Sequence, residues 1–240
     1  MSYSVFIGRK LSQETQTWLE ENNISFSEKP LIEVELLAPD LLFFNKTKNE
    51  SKNWIITSNW AAKWLLKYNT EIGFQSPDFI FCISEKQVET LAGISVNVLV
   101  SEQKNAKSLA KLVRKKSDGK TTVYLNGNKS LNIFQNEVGQ NIHIIETEVY
   151  RNIPVRQEIA GFFGAYLFFS PSGIESFIHS GNKIPDAALI FTIGQTTGHY
   201  AKSIFSNKVV ESPIQKELEF VEFAVNQIEK YQRNRVKTEN

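Results

Sequence analysis

The sequence predicts an α/β fold made of two lobes, each built on a parallel sheet. Short apolar runs, rich in β-branched and aromatic residues, alternate with helical patterns along the whole chain, which is typical of parallel sheets covered by helices. Two other strand-like segments lead into no helix, and they enclose about half of the chain. The composition, 41% hydrophobic and 22% charged residues, is that of an ordinary globular protein.

In the first half of the chain, strand and helix patterns follow one another. Val5–Ile7 is a predicted strand, and Ser12 is the predicted cap of the next helix. The polar segment Leu41–Asn53 is predicted to be a surface loop. Further predicted strands lie at 54–57, 79–83, 96–100 and 121–125, and the last of them is predicted to stop at a turn formed by Asn126–Asn128. The helices between these strands carry the apolar stripes Ala61, Trp64, Leu65 and Tyr68, then Val88, Leu91 and Ala92, then Ala106, Leu109, Ala110 and Val113.

The two segments that break this rhythm are residues 30–36 and 146–154. Each is bounded by a proline, which is typical of edge strands. We predict that they are paired crossings between two lobes. The inner lobe then comprises residues 37–148, and the discontinuous outer lobe comprises residues 1–33 and 152–240.

The second half returns to the strand and helix alternation. Ala165–Phe169 and Ala188–Ile193 are predicted strands, each followed by an amphipathic helix. The last helix is predicted to begin at Ser212–Gln215, because this segment offers an N-cap serine, a proline at the first helical position and a capping-box glutamine.

Charge and cysteine content exclude several classes of function. The chain has 27 Lys and Arg residues against 26 Asp and Glu, so no overall field attracts nucleic acid. The lone Cys82 allows no disulfide within the chain, and no apolar run approaches the length of a membrane span. We therefore predict a cytoplasmic protein with no membrane and no nucleic-acid partner.

No pattern for a cofactor is present in the sequence. His143, His179 and His199 are far apart along the chain, which gives no metal-ligand spacing. Neither a G-x-G-x-x-G segment nor a Walker A motif occurs. We expect neither a metal nor an organic cofactor.

Four predicted strands end in turns that carry hydroxyl groups or glycine and that begin a helix. Thr57–Ser58 and Ser84 follow strands of the inner lobe, whereas Ser170–Gly173 and Gly194–Thr197 follow strands of the outer lobe. The first N–H groups of a helix lack helical partners and its N-terminus is positive, so such a turn can hold a carboxylate without Lys or Arg. Parallel α/β sheets bind ligands at this edge. Helix capping alone also accounts for Ser and Thr at these positions, and Ser84 with Gln87 fits the capping-box spacing.

Several segments, in their order and spacing, resemble the uroporphyrinogen-III synthase family. They are Trp54–Ser58, Val149–Arg151, Phe168–Gly173 and Ile193–Thr197, together with the opening Ile7–Arg9 and the Ser212–Pro213 pair before the last helix. The resemblance covers essentially the whole chain and is closer in the outer lobe. Ser84 and Gln87 depart from the pattern, because the family has glycine and a small hydroxyl residue at these positions.

The resemblance implies two α/β lobes joined by a two-stranded linker, with the active-site cleft between them. It also implies a hydro-lyase of haem biosynthesis that needs no cofactor. Its substrate is hydroxymethylbilane, an acidic linear tetrapyrrole with acetate and propionate groups. The enzyme closes this chain to uroporphyrinogen III with loss of water and inversion of ring D, through a spiro intermediate. A monomer is the family's expected state.

The same resemblance assigns candidate site residues. Tyr150 would lie on the linker and donate a proton to the departing hydroxyl, a role that suits a phenol protonated at neutral pH; an aromatic residue that only packs on its strand is the alternative. Arg9 would add a charged contact, or is a solvated or ion-paired surface residue. The other predicted substrate-binding residues are Thr57, Ser58, Ser84, Gly127, Asn128, Ser170, Ser172, Gly173, Gly194, Thr196 and Thr197.

Two other functions fit the pattern of residues. A non-catalytic two-lobed protein could use the same helix starts to bind a small anion. A glycosyl- or nucleotidyl-transferase with paired α/β lobes would need closely spaced acidic residues at a strand end for Mg²⁺, and Asp40 stands alone.

Overall fold

The computed structural model describes residues 3–47, 53–94, 96–129, 137–138 and 142–238. The chain forms two compact units, of which unit 1 comprises Met1–Glu33 and Ile153–Asn240, and unit 2 comprises Val34–Asn152. Each unit contains one sheet and its own helices. The predicted α/β class with parallel sheets is thereby confirmed.

Unit 1 is built on a five-stranded sheet whose strands are all parallel. The strands are β1 (Ser4–Ile7), β2 (Ser25–Glu28), β9 (Ala165–Phe168), β10 (Leu189–Thr192) and β11 (Val209–Glu211), in the order β11-β10-β9-β1-β2. The helices are α1 (Gln13–Glu21), α6 (Pro171–His179), α7 (Gln195–Ile204) and α8 (Glu217–Thr238).

Helices cover both faces of the unit 1 sheet, because successive strand residues point to opposite sides. Val5 and Ile7 belong to one buried cluster with Phe220 of α8. Phe6, which lies between them, belongs to a second cluster with Phe177 of α6. The carboxyl ends of β9 and β10 are therefore held between two packed layers.

Unit 2 is built on a six-stranded sheet in the order β3-β8-β7-β4-β5-β6. Its strands are β3 (Ile32–Leu36), β4 (Asn53–Ile56), β5 (Phe79–Cys82), β6 (Val98–Val100), β7 (Thr122–Gly127) and β8 (Ile144–Pro154). Its helices are α2 (Leu41–Thr47), α3 (Asn59–Tyr68), α4 (Glu85–Leu91) and α5 (Ala106–Lys116). The strands from β8 through β6 run parallel.

The edge strand β3 runs antiparallel to β8. The Leu37 N–H donates to the Val149 carbonyl, and the Val155 N–H donates to the Leu31 carbonyl, each at 3.0 Å. Partner numbers thus rise on one strand as they fall on the other, which defines an antiparallel pair. Both boundaries between the units fall inside these two strands, after residue 33 and after residue 152.

The same alternation sets the two faces of the unit 2 sheet. Trp54 and Ile56 pack with Trp64 of α3 in one cluster, whereas Ile55 packs on the opposite face with Tyr124 and with helix α5. Residues just beyond the end of β4 continue this alternation, so consecutive side chains there reach opposite faces.

The segment 41–53 was predicted to be a loop, and this is wrong for its described residues. Leu41–Thr47 is helix α2, and Asn53 already begins β4; residues 48–52 lie outside the described residues. The Asp40 carboxylate accepts the Phe43 N–H at 3.0 Å as a local cap, and Phe44 stacks on Trp54 and Trp64. Aromatic packing therefore stabilises a helix that the polar composition concealed.

The predicted start of the last helix is also wrong, since α8 begins at Glu217. The Ser212 hydroxyl accepts the Ile214 N–H at 3.0 Å and donates to the Ile214 carbonyl at 2.8 Å. The hydroxyl that was expected to cap a helix closes a short turn instead. Gln215 consequently lies in a loop next to the start of α7.

Candidate functional site

The predicted site residues other than Tyr150 lie at or just beyond the carboxyl ends of strands in the two units. In unit 2, Thr57 and Ser58 follow β4, Ser84 follows β5, Gly127 and Asn128 end β7, and Tyr150 lies within β8. In unit 1, Arg9 follows β1, Ser170, Ser172 and Gly173 follow β9, and Gly194, Thr196 and Thr197 follow β10.

The turn after β4 carries two hydroxyl side chains, each with a tyrosine partner. Thr57 Oγ1 lies 3.0 Å from the hydroxyl of Tyr124 on β7. Ser58 caps α3 by accepting the Trp60 N–H at 3.1 Å, and its side chain also bonds to the Tyr150 phenol. The first turn of α3, all of it described, has no acidic residue, so its N-terminus keeps its positive character.

Tyr150 packs its ring directly over Gly127. The strands β7 and β8 are out of register here, and Gly127 is paired with Tyr150 across the irregularity. A Cβ atom at position 127 would lie 2.5 Å from Tyr150 Cε2, closer than carbon atoms can approach. Only glycine therefore leaves room for the ring. The strand was predicted to stop at Asn126–Asn128, whereas β7 extends through Gly127 to make this contact.

The environment of Tyr150 favours its neutral form. Burial raises the pKa of the phenol, the hydrogen bond from Ser58 lowers it in part, and the nearby Tyr124 phenol raises it, so that the pKa lies above its ordinary value. A half-buried phenol that keeps its proton can donate a hydrogen bond or a proton to a ligand.

Asn128 ties together the ends of β7 and β8. Its side-chain amide donates to the Asn152 carbonyl at 3.2 Å, and its side-chain oxygen accepts the Asn152 N–H at 3.0 Å. Both groups are thus engaged with the backbone next to Tyr150. The observed contacts place Asn128 where it can hold the strand that carries Tyr150.

The turn after β5 is the least suited of the four to an anion. Both the N–H and the hydroxyl of Ser84 donate to Gln87 Oε1, at 2.8 and 2.9 Å, which is the predicted capping-box pair. Glu85 places a negative charge in the first turn of α4, where it opposes a second negative charge. A role for Ser84 in substrate binding stays a prediction.

The turn after β9 is capped by its own serine. Ser170 Oγ accepts the Gly173 N–H at 3.1 Å, and Pro171 occupies the start of α6. Gly173 is buried against Leu31, whereas Ser172 is half-buried. The Gly173 N–H is thus already bonded to Ser170, and Pro171 has no N–H that could bind an anion.

The turn after β10 has the most open helix start. Gly194 is extended and has no side chain with which to cap α7. Thr197 is 4% exposed, and it lines a hollow of about 300 Å³ together with Thr196 and Gln215. Among the described residues no side chain caps the first N–H groups of α7. They are therefore available to a carboxylate in the hollow.

Arg9 is held by a network inside unit 1. Its Nε lies 3.2 Å from Glu217 Oε2, and its guanidinium lies 4.9 Å from the centre of the Phe169 ring. Glu217 also accepts the Ser12 N–H at 2.7 Å and the Thr15 hydroxyl at 3.1 Å. Of the two sequence interpretations, the ion-paired one describes the observed contacts, and a contact between Arg9 and substrate stays a prediction.

Burial alone would raise the pKa of the Glu217 carboxyl. The backbone and hydroxyl of Ser12, followed by Arg9 and Thr15, outweigh that effect and hold the pKa below its ordinary value. A depressed carboxyl pKa adds stability above the unfolded-state pKa, near about 4.3, and that stability is lost as the pH falls through the folded value.

We expect Glu217→Gln to lower the free energy of unfolding of unit 1 by about 2 kcal/mol at pH 7, since hydrogen bonds to a charged group contribute on this scale. The difference in unfolding free energy between variant and wild type should become smaller below about pH 4, where Glu217 itself becomes protonated. Urea-induced unfolding measured between pH 3 and 8 tests this. The control is Glu219→Gln, because Glu219 lies outside this network and pairs with the exposed Lys216. A difference in unfolding free energy that stayed constant at all pH values would contradict the network's role.

Two residues near the site were not identified from the sequence. Tyr124 bonds to Thr57, but its position within a strand reads as core, and its partner lies 67 residues away. Gln215 lines the hollow at α7, although its spacing from Ser212 suggested a cap. Neither contact leaves a local pattern in the sequence.

The described residues also bear on metals, thiols and membranes. Among them, no group of three or more His, Cys, Asp or Glu side chains could hold a metal ion. Burial raises the pKa of Cys82 to about 12, so this thiol is a poor nucleophile. No helix in the described part of the chain is long and apolar enough to span a membrane.

Each unit has an α/β fold and carries polar groups at the carboxyl ends of its strands, where parallel α/β sheets bind ligands. These groups are hydroxyls, the Tyr150 phenol and N–H groups at helix starts. The fold and the site thus define a two-unit α/β ligand-binding architecture. The family model described as "Uroporphyrinogen-III synthase HemD" matches residues 13–218. The chain therefore belongs to the uroporphyrinogen-III synthase family, whose members are lyases of haem biosynthesis.

Solved structures of similar fold carry the same name. A uroporphyrinogen-III synthetase from Helicobacter pylori matches with a TM-score of 0.68 and 14% identity over 95% of this chain and all of that one. A mutant uroporphyrinogen III synthase from the extremely thermophilic bacterium Thermus thermophilus matches with a TM-score of 0.66 and 12% identity over 95% and 99% of the two chains. No curated protein sequence gives a significant match. At these identities the structural likeness shows the fold.

Proposed function

We propose that the chain converts hydroxymethylbilane to uroporphyrinogen III, with loss of one water molecule and inversion of ring D. The observation that carries the proposal is the family match over residues 13–218. The strand ends add chemical support, because they offer neutral donors to an acidic ligand. Nothing in the geometry favours a transferase, since Asp40 serves as the cap of α2.

Tyr150 is the proposed acid in this reaction. The C–O bond of the hydroxymethyl group breaks, and its oxygen leaves as water with the phenol proton. The methylene carbon left behind bonds to the α-carbon of ring D that already carries a bridge, which gives the spiro intermediate. That bridge bond then breaks and re-forms at the free α-carbon of ring D, and the proton lost from this carbon restores the phenol. A phenol whose pKa is raised by burial carries its proton at neutral pH, as a general acid must.

The remaining groups are proposed to bind carboxylates. The first N–H groups of α7 and the Thr197 hydroxyl would hold one carboxylate in the hollow of unit 1, while Thr57 and the start of α3 would hold another in unit 2. Hydrogen bonds of this type fix the flexible bilane in a folded form, and such fixing can lower a barrier by about 7 to 11 kcal/mol.

The test supplies the purified protein with hydroxymethylbilane made in situ and separates the oxidised products by isomer. Mostly type III product is expected. Only the type I isomer, which forms spontaneously, would refute the proposed reaction. If the product uroporphyrinogen still raised the melting temperature in that case, the non-catalytic anion-binding function would take its place.

We expect Thr197→Val to raise KM about three- to tenfold with little change in kcat. Valine lacks the hydroxyl that is proposed to bind the carboxylate, but it has nearly the same volume as threonine. Steady-state kinetics with bilane generated in situ measure the change. Ser203→Ala is the matched control, since Ser203 lies at the other end of α7 and bonds to the Tyr200 carbonyl. An unchanged KM for Thr197→Val would remove the Thr197 hydroxyl from the binding site.

A further inference from the structure

The loop between β11 and α8 contains a capping pattern that caps no helix. The Ser212 N–H donates to the Thr192 carbonyl at 2.8 Å, which attaches the loop to the end of β10. The Ser212 hydroxyl bonds to the N–H and the carbonyl of Ile214 and closes the turn. Because β10 also leads into α7, the strand end that begins this helix also fixes the turn from which Gln215 extends.

Gln215 reaches from this turn to the start of α7. A Cβ atom built on Gly194 would lie 3.4 Å from Gln215 Nε2, so the side-chain amide lies within contact range of the Gly194 backbone. The hollow at this helix start is lined by residues 193–197 of one segment and by Gln215 of another. The turn held by Ser212 therefore brings a side-chain amide to the same hollow as the first N–H groups of α7.

Two polar side chains of the hollow have unused bonding capacity. The Gln215 side chain is exposed, and no hydrogen bond from its amide is found within the described residues. Thr197 is 4% exposed, and its hydroxyl likewise has no hydrogen-bond partner in this part of the chain. Buried polar groups are normally hydrogen-bonded, so the Thr197 hydroxyl indicates that a ligand completes the bonding in the hollow.

The charge of the hollow favours an anion. Its lining residues, 193–197 and Gln215, carry no charged side chain, and the first turn of α7, all of it described, has no acidic residue. The positive end of the helix dipole is therefore not neutralised by a nearby carboxylate. A side-chain amide has two N–H donors that can turn towards an anion.

We infer that Gln215 is a substrate-contacting specificity residue: its side-chain amide donates a hydrogen bond to the carboxylate that the start of α7 binds. The inference rests on the proposed function and adds to it a donor from a second segment of unit 1. Donors from two segments fix the orientation of the carboxylate as well as its position, which is how a few polar groups give a binding site its specificity.

Gln215→Glu is the sharpest test, because it adds a charge and leaves the size of the side chain nearly unchanged. The new carboxylate would repel the substrate carboxylate and compete with it for the α7 N–H groups. We expect KM to rise at least about tenfold, with kcat changed less than about twofold. The melting temperature should stay level or rise, because a carboxylate stabilises a helix start. Gln215→Leu, which loses only the amide, should raise KM about three- to tenfold.

Ionic strength separates the effect of charge from that of shape. Salt screens charges, so the KM of Gln215→Glu relative to that of Gln215→Leu should fall between about 0.05 and about 0.5 M salt. The control is Asn226→Asp, which adds the same charge at an exposed position of α8, about 13 Å along the helix from its start. Its KM should equal that of the wild type.

An unchanged KM for Gln215→Glu, or an equal rise in KM for Asn226→Asp, would overturn the inference. A rise in KM that salt did not reduce would also contradict it, because a change of shape would then account for the loss of affinity. Wild-type protein that made no type III product would instead refute the proposed function.

Discussion

Tyr150→Phe is expected to lower kcat for type III product at least about 100-fold, the lower end of what a general acid contributes. The variant keeps the ring over Gly127, so the fold of the strand ends and the KM should change little. Spontaneous closure of the released bilane then competes, and the fraction of type I isomer should rise. The measurement is product analysis by isomer at several enzyme concentrations.

The pH dependence of kcat offers a second readout for Tyr150. A protonated acid is active below its pKa, and that pKa is raised by burial, so kcat should stay level through neutral pH and fall only as the pH rises through the phenol's value, above about 10. The Ser58 hydrogen bond lowers this pKa. Ser58→Ala should therefore move the alkaline fall of kcat to still higher pH.

The control for both measurements is Tyr166→Phe, which removes a phenol hydroxyl, but not the ring, from the core of unit 1. Full turnover and an unchanged isomer ratio in Tyr150→Phe would end the proposal that this phenol is the acid. An alkaline fall that Ser58→Ala did not move would show that another group titrates.

The strands were largely predictable because their apolar runs are local signals. β1, β4, β5, β9 and β10 lie within about two residues of the predicted positions, since buried parallel strands are nearly continuous apolar runs. β2 and β11 were not predicted. Ser25–Glu28 is largely polar, and Val209–Glu211 is only three residues long. Pairing with a neighbouring strand, rather than composition, makes them strands.

Helix starts were predictable only where the capping side chain has no competing partner. Ser84 and Gln87 form the expected box. Ser212 presented equally good capping signals, yet its hydroxyl bonds to Ile214 and α8 starts at Glu217. Glu217 itself pairs with Arg9 and accepts the N–H of Ser12, the cap of α1. Partners that are distant in sequence decided this outcome, and residue spacing contains no information about them.

The candidate site shows the same division between local and long-range signals. The strand-end positions of Thr57, Ser58 and Thr197 were predictable because a hydroxyl that follows a strand and precedes a helix is a local pattern, while their contact with substrate stays a prediction. The contacts of Tyr124 with Thr57 and of Tyr150 with Gly127 join residues that are far apart in the chain. Gly127 was predicted to lie in a turn at the end of a strand. The structure places it at that strand end, but the Tyr150 ring, and not a turn, requires the glycine.

Gly127→Ala is expected to lower the free energy of unfolding of unit 2 by about 1 to 3 kcal/mol, the effect of one methyl group too many in a packed site. Its Cβ would lie 2.5 Å from Tyr150 Cε2 and 2.9 Å from Cε1, and a ring cannot bend away as a flexible chain end can. Because the phenol must shift, kcat should fall together with stability. Urea-induced unfolding and product analysis by isomer measure the two effects.

The sign of the Gly127 effect should reverse when the ring is absent. Gly127 does not have a positive φ, so alanine fits its backbone, and losing glycine's freedom in the unfolded state adds about 0.4 to 1 kcal/mol. In a Tyr150→Ala background, Gly127→Ala should thus be neutral or stabilising. Gly164→Ala is the control in the wild type, since the nearest atom to its Cβ lies at 3.5 Å. Equal destabilisation with and without the Tyr150 ring would mean that the backbone, and not the phenol, requires glycine here.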